Sequence, residues 1–477
     1  MSVFSSCLGH PRIGANRELK RALESHWSGK SGAAELAAVA RQLRQKHWRS
    51  MKGAGIDIVP SNDFSLYDHV LDTAVLAGAV PERFRRIDDP LARYFAMARG
   101  LQDGAHGIDL EALEMTKWFD TNYHYIVPEL EPDQSFALDA SKPLSELGEA
   151  RALGIETRPV LLGPVSFLIL AKWARYRGMG RHRLELLPDL LPVYEALFAK
   201  LHAEGVGEVQ LDEPCLVQDL DGRTGAAFVE AFQRLGGLKL RPRLAVTTYF
   251  ESAADRVTLF ASSGCDSLHI DLATAPEQLD AVVEGLASHQ TLSLGVVDGR
   301  NVWRADLDRA HALVRRAIAR LGAGRVVVAP SCSLLHAPVD LAGEHGLDVE
   351  LLSFCAFARQ KLGEVVALAR SAGEHRPDSP PFKASRSALT ARQTSTRTRN
   401  AAVRARAEAV RPELLSRQSP FTVRQTAQRE RFALPRLPTT TIGSFPQTAE
   451  VRAARADARA GRLAAEAYRE FLRRETR

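Results

Sequence analysis

The segment EVQLDEP, residues 208–214, is a short apolar run that ends in two carboxylates and a proline. It belongs to a set of eight such runs between about residue 55 and residue 335, with longer helix-like stretches between them. In chain order, the runs are GIDIVP, LEMTKWF, PVLLGP, EVQLDE, RLAVTTY, SLHIDL, LSLGVV and RVVVAP. Most are rich in Val, Ile and Leu without clean alternation, which is typical of strands buried on both faces of a parallel sheet. Eight strand–helix units predict a closed (β/α)8 barrel of the α/β class.

Polar residues directly follow most of these runs. Because the active sites of such barrels lie at the C-terminal ends of the strands, these loops predict a site at that mouth. Asp212, Glu213, Asp271 and the segment DGRN at residues 298–301 are the chief candidates. An alternative stays open, since the ends of buried strands need polar caps whether or not they bind a ligand.

Composition indicates a globular protein with a sizeable core, since 45% of the 477 residues are hydrophobic and 25% are charged. No apolar run reaches the roughly 18 residues of a membrane span, and the N-terminus lacks the pattern of a secretory signal. The five cysteines are scattered and form no CxxC pair. We therefore expect a reduced cytoplasmic protein without membrane partners or a disulfide framework.

The formal charge of +6 is concentrated in one segment. Between Arg376 and Arg431 the local net charge is +9, so the rest of the chain is slightly acidic. The segment is rich in Ala and Arg, and its only aromatic residues are Phe382 and Phe421. This pattern favours a solvated helical linker over a nucleic-acid groove, so no nucleic-acid partner is expected.

The domain organisation predicted from these patterns has three parts. Residues 1–374 form the barrel, 375–433 the basic linker, and 434–477 the start of something new. In the last part, LPTTTIGSFPQT (residues 437–448) reads as a strand that breaks before Pro446, a residue suited to the first turn of a helix. The cations that follow Pro446 echo those after Pro11 at the same offsets, which favours the opening of a second copy of the first domain. The chain is expected to end before that copy is complete.

Six segments closely resemble the cobalamin-independent methionine synthases, and the resemblance covers essentially the whole chain. The segments are RELKRALESHWSG, EMTKWFDTNYHYIVPE, VQLDEP, LSLGVVDGRNVWRADL, VAPSCSLLH and LPTTTIGSFPQT. The resemblance implies two facing (β/α)8 barrels, of which this chain would supply the first, the linker and the opening of the second. It also implies methionine biosynthesis, in which a methyl group passes from 5-methyltetrahydropteroyltri-L-glutamate to L-homocysteine. The family uses zinc and no cobalamin.

The resemblance further implies a polyglutamyl-folate site made of Arg17, Glu18, Leu19, Lys20 and Lys117. Arg17 and Lys20 would bind carboxylates of the glutamate tail, while Glu18 and Leu19 would hold their helix in place. Taken without the resemblance, Arg17 and Lys20 are typical of an exposed helical face.

Homocysteine or methionine would contact Ile442, Gly443 and Ser444 by the same resemblance. The zinc ligands of the family come from the second barrel, downstream of this loop, and are expected outside these 477 residues. No metal ligand is therefore predicted within the chain, which is expected to be inactive alone. A separately encoded C-terminal barrel is a possible partner.

The segment from Cys332 to His336 has a C-x3-H spacing, which is a weak metal signal by itself. We interpret Cys332 as the remnant of a ligand position in a barrel that no longer binds metal. The histidines of the barrel are expected to be satisfied polar groups, and they are His10, His124, His269 and His336.

Two other hypotheses stay open at the level of sequence. One is a non-catalytic module that binds folate polyglutamates. The other is an independent single-barrel enzyme with Asp212, Glu213 and Asp298 as acid and base groups.

Overall fold

The computed structural model describes residues 3–103, 108–174, 180–440, 443 and 447–476. The chain divides into two compact units, Met1–Thr398 and Arg399–Arg477. Nearly all of the described apolar residues that are buried belong to the first unit.

The described strands are short, and most of them are buried. They are β1 (Phe4–Ser5), β2 (Val59–Ser61), β3 (Leu101–Asp103), β4 (Ile108–Leu110), β5 (Met115–Lys117), β6 (His124–Ile126), β7 (Glu129–Leu130), β8 (Thr157–Leu162), β9 (Lys172–Trp173), β10 (Glu208–Asp212), β11 (Arg243–Thr247), β12 (Ser267–Asp271), β13 (Thr291–Val297) and β14 (Val326–Pro330).

The α-helices of the first unit surround these strands or cover their ends. They are α1 (Glu18–Trp27), α2 (Ala33–Ala54), α3 (His69–Leu76), α4 (Glu82–Arg85), α5 (Pro90–Arg99), α6 (Ser141–Arg151), α7 (Pro164–Leu170), α8 (Leu187–Ala203), α9 (Gly222–Gly236), α10 (Val257–Ser262), α11 (Leu279–Gly285), α12 (Leu307–Leu321), α13 (Val349–Phe354), α14 (Ala358–Arg370) and α15 (Pro380–Thr394).

Eight of the described strands form one parallel sheet in the order β1-β14-β13-β12-β11-β10-β8-β2. A parallel bridge between Ser6 and Ile58 joins the two ends of this order, because the amide of Cys7 donates to the carbonyl of Ile58 at 3.1 Å. The sheet is therefore closed, and the predicted (β/α)8 barrel is confirmed. Its strands pack against the predicted helical stretches at residues 187–205 and 304–324, which appear as α8 and α12.

One of the eight strand predictions is wrong. The run LEMTKWF, residues 113–119, lies outside the barrel, where β5 pairs with β6 in an antiparallel hairpin. Its exposed Met115 and buried Trp118 show the one-sided burial that a hairpin permits and a central parallel strand does not. The remaining barrel strand is β1, whose two residues lie in a Ser-rich stretch without an apolar run.

The segment that was predicted as a linker begins with a helix that belongs to the first unit. On α15, Phe382 is completely buried. The hydroxyl of Ser385 donates to the carbonyl of Ala305 at 2.7 Å and accepts the amide of Leu307 at 3.2 Å. These bonds tie α15 to the loop that precedes α12. The proposed boundaries at residues 374 and 433 remain predictions.

The second unit is helical in its described part. Its helices are α16 (Ala401–Glu408), α17 (Phe421–Phe432), α18 (Ala449–Arg459) and α19 (Ala465–Thr476). Pro412 opens a single short 3₁₀ turn, and Gly461, with φ of 72°, separates the last two helices. None of the described helices in either unit has the length and apolar character needed to cross a bilayer.

Candidate functional site

A cavity of about 520 Å³ opens at the C-terminal end of the barrel. Its lining includes residues that directly follow β2, β11 and β14, together with Asp212 at the end of β10. Helices α2, α3 and α6 supply its outer wall. The cavity therefore lies where ligands bind in barrels of this kind.

Asp63 and Asp212 are two of the acidic residues that line this cavity. Asp212 is 8% exposed and accepts hydrogen bonds from Gln210 Nε2 at 2.7 Å and from the Tyr249 hydroxyl at 3.3 Å. Burial raises the pKa of Asp212 to about 7, although these two hydrogen bonds oppose the shift. Asp63 accepts the amide of His10 at 2.8 Å, and burial raises the pKa of Asp63 to about 6. Both groups can thus take up a proton close to neutral pH.

Two cations of the cavity differ in their pairing. Lys142 donates to Asn62 Oδ1 at 2.8 Å and forms ion pairs with Glu146 at 3.2 Å and Asp72 at 3.5 Å. Arg12 instead donates to the carbonyl of Ser65 at 2.7 Å. Its guanidinium stands 5.4 Å from the centre of the Tyr123 ring. Among the described residues, no carboxylate pairs with Arg12.

Aromatic rings form one wall. The centre of the His69 ring lies 4.4 Å from that of Trp118 and 6.0 Å from that of Tyr123. Burial lowers the pKa of His69 to about 3, so this imidazole is neutral. Its Nε2 and the hydroxyl of Ser65 have no hydrogen-bond partner within the described part of the chain.

Three residues that are not glycine have left-handed backbone angles beside the mouth, and they are Asn62 (φ 61°), Phe119 (φ 51°) and Phe250 (φ 84°). Such conformations are strained for bulky side chains and occur where the surroundings enforce them. Here the amide of Phe250 donates to Asp271 at 3.1 Å, and Arg300 stands 4.6 Å above the Phe250 ring while pairing with Asp120 at 2.9 Å. The hairpin is thereby tied to the loops of the barrel.

The predicted acid and base carboxylates do not converge. Only Asp212 of the three lines the cavity. Glu213 is fully buried and accepts the amides of Val165 at 3.1 Å and Ser166 at 2.7 Å, so it caps the start of α7. Asp298 accepts the amide of Arg300 at 2.7 Å within its own turn. Asp271 likewise holds the turn that follows β12. Capping therefore explains most of these polar strand ends.

The predicted folate residues at the N-terminus lie around the start of α1. Arg17 and Lys20 are exposed, and Lys20 pairs with Glu24 at 3.4 Å. Glu18 accepts the amide of Asn16 at 2.9 Å. Leu19 is 2% exposed and packs with residues of α2 and α5. This geometry is compatible with the anchoring roles expected of Glu18 and Leu19.

Lys117 lies at the end of β5, opposite His124. It is exposed, and no described acidic group pairs with it. The hairpin is attached through Asp68, which accepts the amides of Val70 at 2.8 Å and Ile126 at 3.0 Å. The adjacent Trp118 lines the cavity, so Lys117 stands beside the mouth of the barrel.

Of the predicted homocysteine residues, Ile442 and Ser444 lie outside the described residues. Gly443 is described and is exposed. The assignment of all three to homocysteine stays a prediction.

The described part of the barrel offers no ligand set for a zinc ion, because no group of three or more of its His, Cys, Asp or Glu side chains could hold a metal. Burial raises the pKa of Cys332 far above its ordinary value, and the nearby carboxylates of Asp271 and Asp298 raise it further. Cys332 is therefore a thiol in this barrel. Its interpretation as a remnant stays a prediction.

The histidines singled out by sequence occupy different surroundings. Burial lowers the pKa of His10 and of His336 to about 4, and that of His269 to about 3. His269 contacts Ser293 at 2.8 Å inside the barrel, and His124 is exposed. Only His336 lines the cavity.

Sequence reasoning missed several residues of the cavity. Asp63 was within reach, because it follows a predicted strand. Arg12, His69 and Lys142 carry no comparable signal, since each lies before or inside a helix and reaches the mouth only through the tertiary fold.

The closed parallel sheet, with a polar and aromatic cavity at its C-terminal mouth, places this chain in the class of (β/α)8 barrel proteins. The family model described as "Cobalamin-independent synthase, N-terminal domain" matches residues 4–322, and that for the catalytic domain matches residues 437–477. The chain belongs to the cobalamin-independent synthase family.

Relatives named 5-methyltetrahydropteroyltriglutamate–homocysteine methyltransferase are similar along nearly the whole chain. The protein of Xylella fastidiosa (strain M23) is 52% identical over 98% of this chain, and that of Nitrobacter winogradskyi is 47% identical over 98%. The chain spans 61% and 62% of the lengths of these two relatives. Among solved structures, a B12-independent methionine synthase from Shewanella sp. W3-18-1 in complex with selenomethionine has a TM-score of 0.52 and 16% identity. That match covers 77% of this chain and 97% of the other, and it supports the fold alone.

Proposed function

We propose that this chain takes part in methyl transfer from 5-methyltetrahydropteroyltriglutamate to homocysteine and that its barrel binds the triglutamate tail of the folate. The observation that carries the proposal is the high identity to relatives whose name contains both substrates. The exposed cations at the start of α1 and at the end of β5 support it.

The start of α1 suits a polyanion. Arg17 is the N-cap residue of α1, with left-handed angles of φ 59° and ψ 37°. In this position the Arg17 side chain projects from the N-terminal end of the helix, where the backbone amides point outward. That end favours the binding of negative charge. Lys20 follows on the first turn, and among the described residues it forms an ion pair only with Glu24, which is also exposed. An exposed pair of this kind contributes little and can be exchanged for a tail carboxylate.

Lys117 would supply a further cation from a separate element. The hairpin that carries Lys117 is attached to α3 and to the loops at the mouth of the barrel. The backbone of Lys117 therefore has a fixed position, although its side chain is flexible. A tail of three glutamates carries several carboxylates along an extended chain, so its binding calls for several cations in succession.

The reaction makes two chemical demands. The folate N5 is a poor leaving group, so it must be protonated or polarised as its bond to the methyl group breaks. The sulfur of homocysteine must be a thiolate, although a free thiol has a pKa of about 8.5. The described residues do not fit the zinc ion that would serve this second demand.

The test is the dependence of folate binding on tail length. Calorimetric titration with mono- and triglutamyl 5-methyltetrahydrofolate should show binding that is at least tenfold tighter for the triglutamate. Arg17→Ala, Lys20→Ala and Lys117→Ala should each reduce that preference. Lys239→Ala is the matched control, because Lys239 is an exposed lysine before β11, at the opposite end of the barrel. Equal binding of both folates by the native chain would refute the assigned roles.

A further inference from the structure

We propose that the cavity at the mouth of the barrel is a second small-molecule site that binds an α-amino acid with a flexible apolar side chain. In this site the ammonium group of the ligand pairs with Asp63 and Asp212, and the carboxylate of the ligand pairs with Arg12. The site is distinct from the predicted folate and homocysteine contacts and does not depend on either.

The first argument is the pair of carboxyl groups. Among the described residues, neither Asp63 nor Asp212 forms an ion pair. The nearest cations are already held elsewhere, since Lys142 pairs with two acids and Arg158 contacts Glu208 at 3.2 Å. The two carboxyl groups repel one another, which adds to the effect of burial on the pKa of Asp212. A buried carboxylate without an ion-pair partner is unfavourable, and the ammonium group of a ligand bound between Asp63 and Asp212 would pair with both.

The second argument is Arg12. Its guanidinium is positioned by the Ser65 carbonyl and by the Tyr123 ring, and it keeps other N–H groups free for a ligand. A guanidinium that is fixed in place and forms no ion pair with a described carboxylate is suited to the carboxylate of a ligand, while its charge also acts on the buried Asp68. The lining of the cavity therefore carries both charges that a zwitterion requires.

The third argument is the aromatic lining of the cavity. Trp118, Tyr123 and His69 offer aromatic surface to an apolar side chain, and a thioether makes favourable contacts with such rings. The hydroxyl of Ser65 is 2% exposed and unpartnered in the described part of the chain, so it can bond to the same ligand. The volume of about 520 Å³ lies within the range of small-molecule sites.

L-methionine is the probe, and calorimetric titration of the full chain is the measurement. We expect saturable binding to the native chain. Asp212→Asn, Asp63→Asn and Arg12→Lys should each weaken it at least tenfold. The analogues 3-(methylthio)propylamine, which lacks the carboxylate, and 4-(methylthio)butanoate, which lacks the amino group, should bind at least tenfold more weakly than methionine.

A matched control separates this site from the rest of the surface. Asp219→Asn replaces an exposed acid outside the cavity and should retain the binding of methionine. Full binding of methionine in Asp212→Asn, Asp63→Asn and Arg12→Lys would overturn the proposal, because the ligand would then occupy another site. The absence of methionine binding to the native chain would overturn it as well. Near-UV circular dichroism checks that each variant is folded, and the folate titration, which probes other residues, reports separately on the proposed function.

Discussion

Asp212 makes the stability of the barrel depend on pH. Burial raises the pKa of Asp212 from 3.8 to about 7, so the folded protein keeps a proton that the unfolded chain releases. Between about pH 4 and pH 7 the folded state binds more protons than the unfolded state, and the free energy of unfolding therefore falls as the pH rises.

The variant Asp212→Asn should remove the contribution of Asp212 to this slope. Asp68 and Glu213, whose pKa burial also raises to about 7, should keep their contributions. Asparagine can accept from Gln210 and donate to Tyr249, so the local hydrogen bonds are kept. We expect its free energy of unfolding to exceed that of the native chain by about 2 to 4 kcal/mol at pH 8 and to approach it near pH 4. Urea unfolding followed by circular dichroism between these two values measures the effect.

The control for this prediction is Asp219→Asn, which changes an exposed acid by the same chemistry. Its pH profile should follow that of the native chain. If Asp212→Asn kept the full native slope, the proton would reside on another buried acid, and the first alternatives to examine would be Asp68 and Glu213.

At the scale of the element, the turn from β8 to α7 depends on a glycine. A Cβ atom added at Gly163 would lie 2.2 Å from Glu213 Oε1. Because Glu213 is held by the amides of α7, it cannot withdraw without leaving those donors unpaired. Gly163→Ala should lower the free energy of unfolding by about 2 to 3 kcal/mol.

The matched change is Gly148→Ala in α6, where nothing lies within 4 Å of the added atom. It should raise the free energy of unfolding by about 0.5 to 1 kcal/mol, since alanine is the better helix former. Thermal unfolding of the two variants side by side tests both signs. A stable Gly163→Ala would mean that Glu213 does not hold the start of α7.

Helix α15 is predicted to stabilise the first unit although it lies in the basic segment. Phe382 is completely buried there, 5.8 Å from the ring of His311, whereas Phe421 on α17 is 62% exposed. Phe382→Ala should lower the free energy of unfolding by about 3 to 5 kcal/mol, and Phe421→Ala by less than about 0.5 kcal/mol. Similar effects of the two changes in urea unfolding would contradict the docking of α15.

Burial on both faces explains which barrel strands could be predicted from the sequence and which could not. The seven correct runs are buried on both faces, and continuous burial produces the Val-, Ile- and Leu-rich composition from which they were recognised. Strand β1 has only two residues and gains its place through pairing with β14 and the bridge to Ile58. Those partners are distant in sequence, so no local pattern marks β1.

For the molecule as a whole, the prediction concerns methyl transfer from the triglutamyl folate to homocysteine by these 477 residues. The catalytic-domain family model matches only residues 437–477, and the described donors do not fit a metal that would activate the sulfur. We expect no methionine from the chain incubated with the triglutamyl folate and homocysteine. Addition of the catalytic domain of the Xylella relative should produce methionine, measured by mass spectrometry. Equal yields with and without that domain would contradict this expectation.

The family and the parallel barrel could be inferred from the amino-acid sequence alone, as could the lysines and the arginine proposed for the folate tail, because these depend on composition and on motifs that are continuous along the chain. Which polar residues meet depends instead on the tertiary fold. It separated Asp212 from Glu213, although they are neighbours in sequence, and brought Asp212, Asp63 and Arg12 to one cavity. The reason is geometric: successive residues at the end of a strand point to opposite sides, while closure of the sheet joins loops that lie far apart in the chain.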